Sequence, residues 1–205
     1  IVYFGDGATS EGDFHEGLNF ASVFNVPVVF FNQNNGFAIS VPMARQMKPK
    51  TIAQKSLGYD IEGVRVDGND VFAVYFETKK AIERAREGKG PTLIEAVTWR
   101  YGAHTTSDDP TKYRNNDEEN EIRRKTADPL LRVESYLKQQ EVIDDEWIEK
   151  IEREITEDVN IAVQKVANHP KADVNRLFDH VFAETPWPIE EQKQAQFASK
   201  GGDPA

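Results

Sequence analysis

Two short apolar runs, each broken off by a glycine-containing polar turn, constrain this chain more than any other feature. Ile1-Val2-Tyr3-Phe4 leads straight into Gly5-Asp6-Gly7, and Val28-Val29-Phe30-Phe31 leads by way of Asn32 and Gln33 into Asn34-Asn35-Gly36. Apolar runs without alternation read as strands buried on both faces, the condition of a parallel sheet. Between them Phe14, Leu18, Ala21 and Phe24 recur three or four apart, which predicts an amphipathic helix from Asp13 to Phe24. Strand, helix, strand implies a right-handed crossover, with both turns brought to one carboxyl edge.

The same alternation continues. Thr51 to Leu57 reads as a short helix, and Ile61 to Val66 as a strand closed by Asp67-Gly68-Asn69. Val71 to Arg86 reads as a helix with Asp70 as its N-cap and Gly88 as its stop. Its expected buried face is Val71, Val74, Tyr75, Ile82 and Ala85. Pro91 opens a strand from Thr92 to Trp99. The expected fold is therefore α/β, an open parallel sheet with flanking helices over residues 1–116, followed by a helical C-terminal region.

Arg100 to Asn116 is polar and aperiodic, so it reads as a long loop. Residues 117–198 read as the helical region, in which Trp147, Ile148, Ile151, Ile155, Val159, Ala162 and Val166 mark one long amphipathic helix. Its acidic face reads as solvated cover for a core, with contact to a partner subunit as the alternative. Thr185-Pro186-Trp187-Pro188 is expected to end helical structure, and residues 199–205 to form a frayed tail. A buried strand at the first residue, with no Met before it, leads us to expect a fragment with sequence missing upstream.

Composition narrows the function classes. A net charge of −10 repels phosphate backbones, which argues against nucleic acid as a partner. The absence of cysteine excludes disulfides, zinc–thiolate sites and cysteine nucleophiles. No apolar run approaches the roughly 20 residues that a helical membrane span needs, and no signal peptide is visible.

The chemistry-bearing candidates sit at the two turns. The Asp6 carboxylate and the Asn35 amide oxygen are hard ligands suited to magnesium or calcium. Gly5 and Gly7 let the backbone approach a phosphate, and a helix starting near Ser10 to Gly12 favours the same anion. Taken singly, Asp-Gly and Asn-Asn-Gly are ordinary turns. Both together, after buried strands at one sheet edge, point to a metal–diphosphate site. His104 alone in a polar loop reads as a solvated histidine, but a loop leaving a buried strand is where site residues gather, and an imidazole is a side chain suited to proton transfer. His15 reads as surface, with cofactor contact as the lesser alternative. His169 and His180 receive no role.

The stretch from Gly5 to Ser40, together with Tyr101-Gly102-Ala103-His104-Thr105-Thr106-Ser107-Asp108-Asp109-Pro110 and Tyr113-Arg114, resembles the alpha subunit of thiamine-diphosphate-dependent 2-oxoacid dehydrogenase first components. Within that family the loop is nearest the bacterial pyruvate dehydrogenase branch. The resemblance implies magnesium held by Asp6, the Asn35 side chain and the Phe37 main-chain oxygen. It implies diphosphate against Gly5, Gly7 and Ala8, and His104 on a loop over the cofactor and the reacting carbonyl. Ser107 and Arg114 lie on that loop, and in some relatives a serine there is a phosphorylation switch. Glu11 and Glu16 lie beside the diphosphate motif, at the wrong end of the cofactor for the glutamate that activates it. The family takes that glutamate from a separate beta subunit.

The implied activity is oxidative decarboxylation of a 2-oxoacid, pyruvate first, with acyl transfer to a lipoyl group. The implied partners are the beta subunit, in a tetramer of two alpha and two beta chains, and a lipoyl-bearing acyltransferase core. The implied setting is the bacterial cytoplasm or the mitochondrial matrix. A branched-chain 2-oxoacid or acetoin dehydrogenase alpha subunit is the nearer alternative. A non-catalytic α/β interaction module that keeps the turn without binding cofactor is the more distant one.

Overall fold

The computed structural model describes residues 1–114, 121 and 128–198, and these form two compact units, Ile1–Asp144 and Asp145–Ala205. Among the described residues of the first unit, four parallel strands make one sheet: β1 (Val2–Gly5), β2 (Val29–Asn34), β5 (Glu62–Asp67) and β6 (Thr92–Val97), in the order β1-β2-β6-β5. The register aligns Gly5 with Gln33, Asn34 with Val97, and Val97 with Asp67, so the four carboxyl ends share one edge. A small antiparallel hairpin, β3 (Phe37–Ala38) and β4 (Val41–Pro42), rises from the end of β2 and runs into α2 (Met43–Gln46). The α/β expectation, a parallel sheet with flanking helices, is met.

Alternation along β2 and β6 feeds two cores. Val29, Phe31, Ile94 and Ala96 point to one face, where Ala81 and the partly buried Val74 and Ile82 of α3 (Val71–Arg86) cover them. Leu93 and Phe30 point to the other face and pack with Leu18 and Phe14 of α1 (Gly12–Val23), Ile52 and Ile61. Cover on both faces is why β2 and β6 carry apolar residues at successive positions. The expected burial of Ile1–Phe4 is not met: β1 is an edge strand of the sheet, and Ile1, Val2 and Tyr3 are exposed.

The helix ends follow their local chemistry. Asp70 accepts from the Phe72 and Ala73 amides, at 3.0 and 3.1 Å, and such a cap contributes about 1 kcal/mol. Gly88, at φ +73°, donates to the Ala85 carbonyl while Lys89 donates to that of Arg84, the paired closure that a left-handed residue permits. Two face assignments need correction. Phe24 lies just past α1, is 68% exposed and stacks on Phe20, because the helical period stops at Val23. Val71 and Tyr75 are also exposed; the sheet covers the neighbouring stripe of Val74, Ala81, Ile82 and Ala85.

Beyond the sheet, the first unit includes α4 (Pro129–Gln139). Arg132 pairs with Asp67 at 2.9 Å, and Tyr136 packs edge-on to Phe72, which docks α4 on the turn between β5 and α3. Those readings that fall on residues 115–120, 122–127 and 199–205 lie outside the described residues.

The second unit contains α5 (Asp145–Ala167), the long amphipathic helix read from its stripe, then α6 (Arg176–Asp179) and α7 (Trp187–Ala198). The expectation that Thr185–Pro188 ends helical structure is overturned, because α7 starts there. Proline is tolerated in the first helical turn, where its missing N–H would have no partner, and the Pro186 carbonyl accepts from the Ile189 and Glu190 amides. Among the described residues no helix is long and apolar enough to cross a membrane.

Candidate active site

Asp6 is the first residue after β1, and the next four, Gly7–Ser10, form a 3₁₀ turn leading to α1. Its carbonyl accepts from the Thr9 amide at 3.1 Å and the Thr9 hydroxyl at 2.8 Å, which fixes the turn. The Asp6 side chain is 2% exposed; among the described residues its carboxylate has one hydrogen bond, from Gln46 Nε2 to Oδ2 at 3.2 Å, and no ion pair. A buried carboxylate with so little compensation is a costly arrangement unless a cation completes it.

The second turn folds back onto the first. Asn34 is buried; its Oδ1 accepts from the Gly36 amide at 2.9 Å and its Nδ2 donates to Glu95 Oε1 at 2.7 Å. Asn35 Oδ1 accepts from the Phe37 amide at 3.1 Å. That bond uses one lone pair of the oxygen and orients it, leaving the second lone pair for another partner. Gly36, at φ +83°, makes the reversal that starts the β3–β4 hairpin. The hairpin then lies on the Asp6 turn: a Cβ placed on Gly7 would stand 2.7 Å from the Ala38 Cβ. Gln46 closes the contact, donating to both Asp6 Oδ2 and the Val41 carbonyl. Gly5 and Gly7 thus serve different needs. Gly7 permits a close approach, whereas nothing lies within 4 Å of a Cβ built on Gly5. Ala8 is exposed beside them.

His104 lies on the loop that leaves β6. Its imidazole is exposed and makes no hydrogen bond to a described residue, while its amide donates to Asp108 Oδ2 at 2.8 Å. Tyr113 donates its hydroxyl to the same oxygen at 2.6 Å. These two donors, Tyr113 first, hold the Asp108 carboxyl below the usual aspartate range. The feet of the loop rest on the hairpin: Arg100 Nη2 donates to the Ile39 carbonyl at 2.7 Å, Tyr113 packs on Phe37 with ring centres 5.8 Å apart, and the Arg114 guanidinium lies 5.2 Å from the centre of the Phe37 ring. Phe37 therefore belongs to both parts, with its amide in the Asn35 turn and its ring beneath the His104 loop. Ser107 is exposed and hydrogen bonds only with Thr105 among the described residues.

A family model described as "Dehydrogenase E1 component" matches residues 1–175. The chain belongs to this family. Its members are oxidoreductases that depend on thiamine diphosphate. The chain is 46% identical over 95% of its length to the 3-methyl-2-oxobutanoate dehydrogenase subunit alpha of Mycobacterium tuberculosis, covering 52% of that protein. It is 45% identical over 94% of its length to the pyruvate dehydrogenase E1 component subunit alpha of Bacillus cereus and to that of Bacillus subtilis, covering 52% of each. It thus spans about half the length of the curated relatives it matches.

For this E1 family member, the structure lays the hairpin that follows Asn35 against the Asp6 turn, through Ala38 at Gly7 and Gln46 at Asp6, and joins the His104 loop to that hairpin at Phe37 and Ile39. His15 is exposed and hydrogen bonds with the Tyr59 hydroxyl at 2.7 Å, in keeping with a surface role. Sequence reasoning missed Gln46, Lys55 and Glu95. Lys55 donates from Nζ to the Thr9 carbonyl at 2.5 Å and to Thr9 Oγ1 at 2.9 Å, and burial pulls its ammonium pKa below the usual lysine value. Glu95 is fully buried in β6. A charged residue inside the apolar run Thr92–Val97 was the available signal, since charges are almost never buried unpaired. Gln46 and Lys55 carried no such signal, being polar residues in polar stretches.

The donor set fits a hard divalent ion shared with a diphosphate. Among the described residues no cluster of three or more His, Cys, Asp or Glu side chains forms a protein-only metal cage. One carboxylate, one amide oxygen and one main-chain carbonyl suit magnesium, which fills its remaining positions with phosphate oxygens and water.

Proposed function

We propose that this chain supplies the magnesium and diphosphate grip of a thiamine-diphosphate-dependent 2-oxoacid dehydrogenase, as its alpha subunit. The observation that carries the reading is the Asp6 carboxylate, buried and without an ion pair among the described residues, with the hairpin that follows Asn35 packed on the adjacent Gly7. In this reading Asp6 Oδ, Asn35 Oδ1 and the Phe37 carbonyl hold magnesium, while the backbone at Gly5, Gly7 and Ala8 approaches the diphosphate. The bound cofactor supplies the electron sink for decarboxylation of the 2-oxoacid.

The chain's own residues orient and protonate. The Gly7–Ser10 turn and the start of α1 present amide donors to an anion. His104 moves a proton, or stabilises developing charge, at the reacting carbonyl or during acyl transfer to a lipoyl group. Asp108 fixes the loop by holding the His104 amide. The partners are a beta subunit, in a tetramer of two alpha and two beta chains, and a lipoyl-bearing acyltransferase core. The setting is the bacterial cytoplasm.

Pyruvate is the first substrate assigned, and the Bacillus relatives support it. The 46% identity to a 3-methyl-2-oxobutanoate dehydrogenase subunit supports a branched-chain substrate as the second reading. Calorimetric titration of thiamine diphosphate into the full-length alpha subunit assembled with its beta partner, with magnesium present, tests the grip. Binding is expected in the wild type and lost in Asp6→Ala; equal binding in the variant overturns the assignment. Turnover of pyruvate against 3-methyl-2-oxobutanoate by the same assembly separates the two substrates.

A further inference from the structure

The 3₁₀ turn Ala53–Tyr59 touches both halves of the site. At its start the Ala53 amide donates to Glu95 Oε2 at 2.9 Å, and the other Glu95 oxygen accepts from Asn34 Nδ2 at 2.7 Å, with Arg65 Nε at 3.7 Å. A few atoms on, Lys55 grips the carbonyl and hydroxyl of Thr9, whose hydroxyl donates to the Asp6 carbonyl. The turn has no slack beneath it. A Cβ on Gly63 of β5 would stand 2.7 Å from the Ala53 carbonyl oxygen and 2.2 Å from Ser56 Oγ.

We propose that Glu95 and Lys55 are the two ends of one brace, positioning residues that set the spacing between the Asp6 turn and the Asn35 turn. This rests on the thiamine-diphosphate reading above and names what holds that site at its working geometry. The physical case is the direction of each bond. Glu95 has both oxygens engaged by N–H groups from different elements, so Asn34 and Ala53 cannot separate without stranding a buried charge. Asn34 precedes Asn35, so fixing the Asn34 side chain limits rotation of the peptide that aims Asn35. Lys55 acts on Thr9 in the same manner, and through it on Asp6. Neither residue is required to touch the metal or the cofactor; each orients the groups that would.

The test uses the full-length alpha subunit assembled with its beta partner, in Lys55→Met, Lys55→Arg and Glu95→Gln forms and in the double variant Lys55→Met with Glu95→Gln. Lys55→Met keeps the aliphatic stem of a half-buried side chain, so the fold is expected to survive it. Glu95→Gln places an amide N–H₂ against a donor that the carboxylate accepted. Each of these two changes is expected to lower the apparent affinity for thiamine diphosphate and magnesium about 10- to 100-fold, the range typical of partners that orient metal ligands. Turnover at saturating cofactor stays within about twofold of wild type, which separates positioning from chemistry. Lys55→Arg recovers most of the affinity.

One brace also means strong coupling, so the double variant loses little more than the worse single one. Amide hydrogen exchange without cofactor supplies the independent readout. Lys55→Met is expected to speed exchange at Thr9 and also at Phe37, across the site. Exchange that rises at Thr9 alone, or additive losses in the double variant, or unchanged affinity in either single variant, overturns the brace. A wild type that binds no thiamine diphosphate defeats the proposed function instead, and the exchange result at Phe37 still decides the brace.

Discussion

The turn after β1 and the loop after β6 leave the same edge of the sheet, yet they are held in different ways. Around the Asp6 turn, Gln46 reaches the carboxylate and the hairpin, Thr9 and Lys55 hold the backbone, and Glu95 ties the neighbouring turn through Asn34. The His104 loop is held at its feet by Arg100, Tyr113 and Arg114, and at its crest by one carboxylate, that of Asp108. A grip on a cation and a diphosphate needs fixed oxygens, because magnesium tolerates little departure from octahedral geometry. Under the proposed function His104 would need access for substrate and for a second acceptor, which an exposed loop on rigid feet allows.

The largest effect expected on this contrast comes from Asp6→Ala. Cofactor affinity should fall by more than the ~100-fold that marks the upper range for groups acting only through a ligand, as read by calorimetry; a smaller loss would place Asp6 outside the grip. His104→Gln comes next, with the opposite signature. Turnover should fall about 10²- to 10⁴-fold, the range for a lost proton-transfer group, while cofactor affinity stays near wild type. Joint loss of both would mean that the loop is part of the grip after all.

Gly7→Ala sharpens the difference between the two glycines. Its Cβ meets Ala38 at 2.7 Å, so the hairpin must shift, and overpacking of this kind costs about 1–3 kcal/mol in denaturant unfolding. Gly5→Ala meets nothing within 4 Å and should leave stability nearly unchanged. The smallest effect concerns the crest of the His104 loop. The Asp108 pKa is depressed, so its hold is complete above the ordinary aspartate value of about 3.9 and is lost as pH falls through the lower folded value. An amide chemical-shift titration of His104 should show a midpoint below that value, moving up toward it in Tyr113→Phe. No movement would remove Tyr113 as the principal donor.

Much of the sheet was legible because its signals are local. Unalternating apolar runs marked β1 and β2, and Asp70 and Gly88 marked the ends of α3 by capping chemistry that needs only neighbouring residues. The errors were local signals read without their surroundings. Phe24 fits the helical period but lies beyond the helix, and Val71 and Tyr75 are apolar on a side the sheet does not reach. The prolines near Trp187 open a helix, since the same residue that breaks a helical interior suits its first turn. In the candidate site, Asp6 and Asn35 stood out by residue type and by their place after apolar runs, of which only the second is buried in the structure. Gln46 and Lys55 did not, because nothing in a polar segment foretells which distant backbone atom it will reach.

The sequence by itself determined the alternation of strand and helix, the two turns with their acid and amide, and the glycines that let the chain reverse and approach. These depend on steric limits and burial patterns that act within a few residues of one another. Tertiary structure alone decided that Glu95 joins Asn34 to Ala53, that Lys55 reaches Thr9, and that Phe37 lies under Tyr113 and Arg114. Those pairings join residues far apart in the chain, and a polar group selects such a partner only once packing has removed water and left it one acceptor or donor within reach.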